Sequence, residues 1–285
     1  FFKQKTAYEI SLGLVGSEMC IRDSLATAWE EVADLFPNRN AINCDGRSLD
    51  WREFESRASQ LATLLTTNGL GKNSKVGLYL HNCNEYVEAT FAAFKIEASP
   101  VNLNYRYKSD DLVYLLDNAD AEAIFFQSCY AMRIWEIRDR LPKIKLFVQV
   151  DDGTEGLLKG ATDYERALRS LEPAVRTQRD FSSNYLFYTA GTTGFPKGVM
   201  LPHRALWTSA FCFGHAANVT QRDRVIHAPP LFHIAGSAML FAVTLFGGSH
   251  AFIDGFEPKA FIAVSYTHLR AHETEADLVC RLLLE

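Results

Sequence analysis

The sequence lacks the features expected of secreted, membrane-spanning or nucleic-acid-binding proteins. Its six cysteines form no Cys-x-x-Cys pair and show no regular spacing, which predicts reduced thiols and a cytoplasmic location. The formal net charge is −5, so the basic footprint of a nucleic-acid partner is missing. The best apolar run, residues 237–248, ends at two glycines and is shorter than the roughly 20 residues of a transmembrane helix. We therefore expect no transmembrane segment.

Two common nucleotide-binding motifs are also missing. The sequence contains neither the G-x-G-x-x-G of dinucleotide-binding folds nor the G-x-x-x-x-G-K-[ST] of kinases and GTPases. The first absence argues against a Rossmann-type oxidoreductase. The second argues against a P-loop enzyme.

The composition that is present is that of a globular protein. Hydrophobic residues make up 48% of the 285 residues and charged residues 22%, which is enough for a sizeable core. Apolar runs of strand length alternate with helical patterns, which predicts an α/β fold of layered parallel β-sheets covered by helices. The predicted strands are KVGLYL, PVNLN, EAIFF and IKLFVQV. The predicted helices are NEYVEATFAAFKI, SDDLVYLLDNA with Ser109 as its cap, and MRIWEIRDRL.

The region before this alternation has its own local signals. Residues 25–36 predict an amphipathic helix that Pro37 ends. Asp45–Gly46 is a strong two-residue hairpin signal, and Asp50 is placed to cap the helix that follows. The polar, glycine-bearing residues 151–160 are the best candidate for an internal linker.

The two ends of the chain differ from the interior. Residues 1–24 and 264–285 resemble translated sequencing adapters, so we expect both segments to be non-native. The genuine sequence would then run over residues 25–263, as part of the N-terminal domain of a longer protein. His268 and His272 are four residues apart, but no glutamate stands between them as in H-E-x-x-H, so no metal site is predicted there.

The most informative stretch is TAGTTGFPKG, residues 189–198. Glycines let a backbone approach a ligand closely, and successive N–H groups can form an anion-binding concavity. Threonine hydroxyls and the Lys197 ammonium add further donors. This composition predicts a loop that binds a polyphosphate. The alternative is a simple turn, because glycine and proline are common turn residues.

The longer stretch YTAGTTGFPKGVMLPHRAL resembles the phosphate loop of the adenylate-forming superfamily, which includes acyl-CoA synthetases, luciferases and peptide-synthetase adenylation domains. It departs from that pattern at Ala190, where serine is usual. The resemblance implies an incomplete N-terminal part of an adenylate-forming enzyme domain. The implied ATP phosphate-binding residues are Thr189, Gly191, Thr192, Thr193, Gly194 and Lys197. Thr189 is also the implied neighbour of Mg²⁺.

A second stretch, APPLFHIAG at residues 228–236, resembles the next motif of the same superfamily. In that motif the histidine borders the acyl pocket, so His233 is implied to shape the acyl side of the site. Taken alone, a histidine among apolar residues is more often part of a core.

A third stretch, residues 99–126, is similar to fatty-acyl and related CoA ligases. The polar residues within it are interpreted as strand-end structure rather than as chemical groups. They are Asn102, Asn104, Tyr105 and Arg106.

The resemblance implies an ATP-dependent acyl-CoA synthetase. A small carboxylic acid of the fatty or a related class would be activated as its acyl-adenylate and then transferred to the thiol of coenzyme A. ATP, Mg²⁺ and coenzyme A are the implied cofactor and substrates. The Y-G-x-T-E-like and T-G-D motifs of the superfamily are absent from the sequence, so we expect this chain alone to show no turnover.

Two alternatives stay open at this point. One is a nucleotide-binding protein without catalysis, and the other is an adenylating enzyme whose acceptor is a carrier protein. The acyl group also stays open among medium-chain, long-chain, aromatic and sterol-derived acids.

Overall fold

The computed structural model describes residues 24–44, 46–179, 183–189 and 195–252. Nearly all of the two segments expected to be non-native, and the centre of the glycine-rich loop, lie outside these ranges. Across the described residues, no helix has the length and apolarity needed to cross a membrane.

The described residues form α-helices and β-strands in the alternating order that the sequence predicts. Helices α1 to α8 span Leu25–Leu35, Trp51–Thr67, Asn84–Lys95, Ser109–Asn118, Ala131–Ile137, Tyr164–Ser170, His203–Ala216 and Ile234–Leu245. Strands β1 to β11 span Asn40–Cys44, Arg47–Asp50, Lys75–Tyr79, Ser99–Asn102, Ala121–Gln127, Leu146–Val150, Thr162–Asp163, Asn184–Thr189, Lys197–Pro202, Arg224–His227 and Ser249–Phe252.

The described strands form two sheets. The larger has the order β7-β6-β5-β3-β4-β8-β9, and the smaller has the order β10-β11-β1-β2. Most neighbouring strands are parallel, and a helix or a short helical turn follows β3, β4, β5, β7 and β10. The prediction of helix-covered layers is therefore confirmed.

Two pairs of neighbouring strands in the described sheets are antiparallel. β1 and β2 form the antiparallel hairpin that Asp45–Gly46 predicts, with Gly46 at a φ of 77°. β8 and β9 are also antiparallel, because the seven residues between Thr189 and Lys197 are too few for a parallel crossover, which takes a dozen or more. β9 lies at the edge of the larger sheet as described, with Met200 63% exposed.

The structure differs from two local predictions of the sequence. Ser109 is the first residue of α4 rather than its cap: the cap position is Lys108, whose backbone N–H donates to the Asp111 carboxylate at 3.0 Å. The polar residues 151–160 do form an exposed loop, but it connects β6 to its parallel neighbour β7 within one sheet. It is therefore not a domain boundary.

The larger sheet separates two hydrophobic cores. Side chains alternate across it: Phe125 of β5 and Tyr185 of β8 belong to one core, whereas Phe126 and Leu186 belong to the other, as the two-residue period of a strand requires. Helices α4 and α5 cover the second face. Helices α2, α3 and α8 fill the first core and also contact the smaller sheet, so these helices lie between the two sheets.

Buried ion pairs join the helices of the first core. The Glu88 carboxylate, with no exposed surface, accepts from Arg57 Nε of α2 at 2.8 Å and from the Tyr164 hydroxyl of α6. Lys95 of α3 lies 2.7 Å from both Glu30 and Glu55. Such charges are tolerated in a core only because each is paired and hydrogen-bonded.

Removing the Glu88 carboxylate should destabilise the fold strongly. We expect Glu88→Ala to lower the free energy of unfolding by about 3–5 kcal/mol, because it leaves both Arg57 Nε and the Tyr164 hydroxyl buried without their acceptor, while Glu165 still pairs with the other two nitrogens of the guanidinium. Urea denaturation measures the change. The matched control is Glu122→Ala, which breaks a surface pair with the half-exposed Lys145 and should cost about 1 kcal/mol or less. Equal losses in the two variants would contradict the prediction.

Three histidines of the described residues are fully buried. They are His203, His227 and His250. His227 Nε2 lies 2.9 Å from His250 Nδ1, and the backbone N–H of Leu25 donates to His203 Nδ1 at 3.4 Å. Burial lowers the pKa of His203 and of His227 to about 3. Burial, with a contribution from His227, also lowers the pKa of His250 well below its usual value. All three are therefore neutral in the folded protein near neutral pH.

These histidines should make the fold sensitive to mild acid. In the unfolded chain they take up protons below about pH 6.5, so the unfolded state binds more protons than the native state and stability falls as the pH falls. Between about pH 7 and pH 5.5 we expect the free energy of unfolding to fall by about 1 kcal/mol for each buried histidine.

Urea unfolding at the two pH values measures this loss. His227→Gln should reduce the pH dependence, whereas His215→Gln, at an exposed position of α7, should leave it unchanged. A wild-type free energy that is the same at both pH values would refute the prediction.

Candidate functional site

The candidate site lies at the edge of the larger sheet where its parallel strands end. β3, β4 and β8 are parallel neighbours, so their last residues, Tyr79, Asn102 and Thr189, lie along one edge. Ligands of open α/β sheets bind at this carboxyl edge. The glycine-rich loop begins there, directly after Thr189.

The structure brings together the two ends of the predicted phosphate loop. Thr189 and Lys197 are the last residues paired in the β8–β9 hairpin, and both are exposed. The Thr189 hydroxyl lies 3.5 Å from the Lys197 carbonyl oxygen, which it can reach only weakly. The other predicted phosphate-binding residues lie outside the described residues. They are Gly191, Thr192, Thr193 and Gly194.

Gly198 packs closely against its neighbours at the base of this loop. It pairs with Tyr188 across the hairpin. A Cβ on Gly198 would lie 3.1 Å from the Leu186 side chain and 3.3 Å from the Tyr188 ring. The aromatic ring therefore packs directly over the glycine, as aromatic residues do opposite glycines in edge strands.

Helix α4 holds both strands of the hairpin near the loop. The Tyr188 hydroxyl donates to Asn118 Oδ1 at 2.7 Å, and the Tyr114 hydroxyl donates to the Pro196 carbonyl at 3.2 Å. Burial raises the pKa of Tyr188 to about 12, so its hydroxyl keeps its proton at neutral pH. The Phe195 ring lies 4.9 Å from the Tyr114 ring. The base of the loop is thus fixed by side chains from a neighbouring helix.

The second predicted site residue, His233, caps helix α8. Its backbone N–H donates to the Pro230 carbonyl at 3.0 Å, and its Nδ1 accepts from the Ala235 N–H at 3.3 Å. The side chain is exposed. The alternative interpretation of His233 as a buried core histidine is therefore wrong, and its ring is available at the surface.

Two asparagines, Asn82 and Asn102, hold the turn that carries His233, a role that we did not predict for them. Asn82 follows β3 and bonds to the backbone of residues 227, 229 and 231, whereas Asn102 ends β4 and donates to the Phe232 carbonyl at 2.7 Å. Asn102 does end a strand, as the sequence predicts, but its long-range contact with Phe232 was not predicted. A polar residue at the end of a buried parallel strand is the signal that could have found both.

Aromatic side chains extend along the same edge of the sheet. The Phe232 ring meets the Tyr105 ring edge-on at 5.3 Å, and Tyr105 meets His81 in the same way at 4.5 Å. The Tyr130 hydroxyl lies 2.5 Å from His81 Nε2. This row joins the His233 turn to the carboxyl ends of β3, β4 and β5.

The described residues offer few ligands for a metal ion. No three histidine, cysteine, aspartate or glutamate side chains cluster there as a metal site. The Thr189 hydroxyl is the one predicted metal neighbour, and it is exposed at the loop base. One hydroxyl suits Mg²⁺ that arrives already bound to phosphate oxygens, because Mg²⁺ in nucleotide sites keeps several waters and phosphates as ligands.

Comparison with known proteins supports the family that the motifs indicate. A family described as AMP-binding enzyme matches residues 29–273. The 3-oxocholest-4-en-26-oate–CoA ligase of Rhodococcus rhodochrous is 38% identical over 191 residues, which cover 65% of this chain and 34% of that protein. A medium/long-chain-fatty-acid–CoA/3-oxocholest-4-en-26-oate–CoA ligase of Mycolicibacterium smegmatis is 30% identical over 267 residues, covering 86% and 48%.

The fold is also shared with a solved structure. The anthranilate CoA ligase AuaEII in complex with anthranoyl-AMP superposes with a TM-score of 0.78 at 23% identity, over 86% of this chain and 48% of that one. The chain thus spans about half or less of the length of these relatives. With the family match over most of its length and the shared fold, the chain belongs to the AMP-binding enzyme family.

Proposed function

We propose that this chain carries the nucleotide-binding loop and part of the acyl side of an ATP-dependent acyl-CoA synthetase. The observation that supports this most directly is that two sequence motifs meet at one sheet edge. The phosphate loop begins at Thr189, the last residue of β8. The turn that carries His233 is hydrogen-bonded, through Asn102, to the end of the neighbouring strand β4. The names of the related proteins, which are acyl-CoA ligases, agree with this proposal.

The phosphates of ATP would lie over the loop at the hairpin tip. Lys197 would supply a mobile positive charge from one strand, and Thr189 would supply a hydroxyl from the other. The remaining donors would be the hydroxyls and backbone N–H groups of Gly191, Thr192, Thr193 and Gly194. Positioning and charge neutralisation carry most of the rate in transfers at phosphorus, because the protein has little covalent chemistry to perform.

Mg²⁺ would enter this site with the nucleotide. The described residues provide no metal cage, so the phosphate oxygens and water would be its main ligands and Thr189 a single protein neighbour. When bound, the ion would neutralise phosphate charge during the transfer.

The acyl side would lie beside His233. The related ligases act on fatty and steroid carboxylates by name, so we infer an apolar carboxylic acid. Its carboxylate oxygen would attack the α-phosphorus of ATP, and the bond from that phosphorus to pyrophosphate would break. The sulfur of coenzyme A would then attack the acyl carbonyl and release AMP.

Competition between two ligands tests this function. The purified chain should bind ATP in the presence of Mg²⁺, and a decanoyl-sulfamoyl-adenosine, which mimics the acyl-adenylate, should displace it from the same site. Equilibrium dialysis with labelled ATP measures both. The proposal is wrong if the chain binds neither ligand, or if it binds NAD more tightly than ATP.

Turnover is measured in the same samples with decanoate and coenzyme A added. The missing Y-G-x-T-E-like and T-G-D motifs lead us to expect ATP binding without acyl-CoA formation. Decanoyl-CoA formed by the purified chain would overturn that expectation while supporting the ligase assignment.

Lys197→Ala should weaken ATP binding without unfolding the protein. Its side chain is exposed, so the fold loses little, whereas a charge-assisted hydrogen bond to phosphate is worth about 1.5–3 kcal/mol, or about tenfold to a hundredfold in affinity. Isothermal titration measures the dissociation constant. The control is Lys159→Ala, an exposed lysine just before β7 at the opposite end of the described sheet. Equal affinities of wild type and Lys197→Ala would exclude the lysine from the site.

A further inference from the structure

The turn from Pro229 to His233 has little regular backbone bonding of its own. Two of its residues are prolines, which have no N–H to donate. Among its described backbone contacts is the single internal bond from His233 N–H to the Pro230 carbonyl. Its conformation therefore depends largely on side chains from elsewhere in the chain.

Asn82 contacts three backbone groups in and beside this turn. Its Nδ2 donates to the His227 carbonyl at 2.9 Å and to the Pro229 carbonyl at 3.0 Å, and its Oδ1 accepts from the Leu231 N–H at 2.8 Å. One side chain thus replaces the bonds that a sheet or helix would give these groups. Because Asn82 lies three residues after the end of β3 at Tyr79, it ties the turn to the carboxyl edge of the sheet.

Asn102 holds the other end of the turn from a buried position. Its Nδ2 donates to the Phe232 carbonyl at 2.7 Å, and its Oδ1 accepts from the Tyr86 hydroxyl at 3.0 Å. The Tyr86 hydroxyl also lies 3.3 Å from that of Tyr185, on the strand that leads to the phosphate loop. Asn102 is therefore fixed before it contacts the turn.

Helix α8 closes the turn from the opposite side. The buried Ser237 hydroxyl donates to the Leu231 carbonyl at 2.6 Å. A Cβ on Gly236 would overlap the carbonyl of Pro230, so the turn lies directly against the first turn of the helix. Asn82, Asn102 and Ser237 therefore supply the side-chain bonds that hold the turn which ends at His233.

We propose that Asn82 and Asn102 are positioning residues that set the direction of His233 and thereby the affinity for the acyl group. They act through the backbone of the Pro229–His233 turn, and not by direct contact with the acyl group or with ATP. This inference rests on the proposed function, because it assumes that His233 borders the acyl group.

Asn82→Asp and Asn102→Asp test the inference, because each keeps the size of the side chain and removes the N–H donors that hold the turn. We expect each variant to bind decanoyl-sulfamoyl-adenosine about tenfold more weakly than wild type and ATP less than about twofold more weakly, from the loss of one or two hydrogen bonds in the turn. The matched control is Asn68→Asp, which removes a 2.8 Å bond to the Leu64 carbonyl at the end of α2. It should leave the ratio of the two affinities unchanged.

A double-mutant cycle separates positioning from general destabilisation. If Asn82 acts through His233, Asn82→Asp should weaken binding of the acyl-adenylate mimic far less in a His233→Ala background than in wild type. Additive effects in the cycle would overturn the inference. Equal weakening of ATP and mimic would overturn it too, because that result reports a general loss of fold.

The outcomes distinguish the inference from the proposed function. A wild-type chain that binds both ligands, with asparagine variants that bind both equally well, would leave the function intact and refute the inference. A wild-type chain that binds neither ligand would refute both. Should the aspartate variants fail to fold, Ser237→Ala removes a bond from the same turn and must change the affinity ratio in the same direction, or the inference fails.

Discussion

The parallel pairing of β3, β4 and β8 is the constraint on which the candidate site depends. Parallel neighbours end at the same edge of a sheet, so the residues after each strand meet although they are distant in sequence. Asn82 and Leu231 are 149 residues apart and share a hydrogen bond of 2.8 Å. Without this pairing, the loop after β8 and the turn before α8 would not lie at the same edge of the sheet.

Buried charged residues fix the helices that pack against this sheet. Arg179 lies in the irregular segment after α6 and bonds to both oxygens of Glu30 on α1, at 2.9 and 2.8 Å, and to the Lys95 carbonyl on α3. Burial would raise the pKa of Glu30, but hydrogen bonds from Arg179 and Lys95 outweigh it and lower that pKa. The carboxylate is therefore charged at neutral pH. The segment that enters β8 is thus held to two helices before it reaches the phosphate loop.

The sequence predicts the local elements of this fold well because each has a local cause. Asp50 accepts from the Glu53 N–H at 2.8 Å and caps α2, as its position three residues before Glu53 predicts. Gly46 has a positive φ at the hairpin turn that Asp45–Gly46 predicts. The antiparallel β8–β9 pair was missed because strand direction depends on the length of a connection, which the apolar pattern alone does not report. The roles of Asn82 and Asn102 were missed because their partners lie about 130 to 149 residues away, and a polar residue near a strand end indicates a contact without identifying its partner.

The position of β9 has a consequence for the behaviour of this chain in solution. Among the described strands it has a neighbour on one side only, and it exposes 40% of Val199 and 63% of Met200. Unpaired backbone groups beside apolar side chains form a template for strands of another molecule. Concentrated samples would then tend to self-associate through the strand that begins with Lys197, and charged substitutions at Val199 or Met200 would oppose this by repulsion between copies.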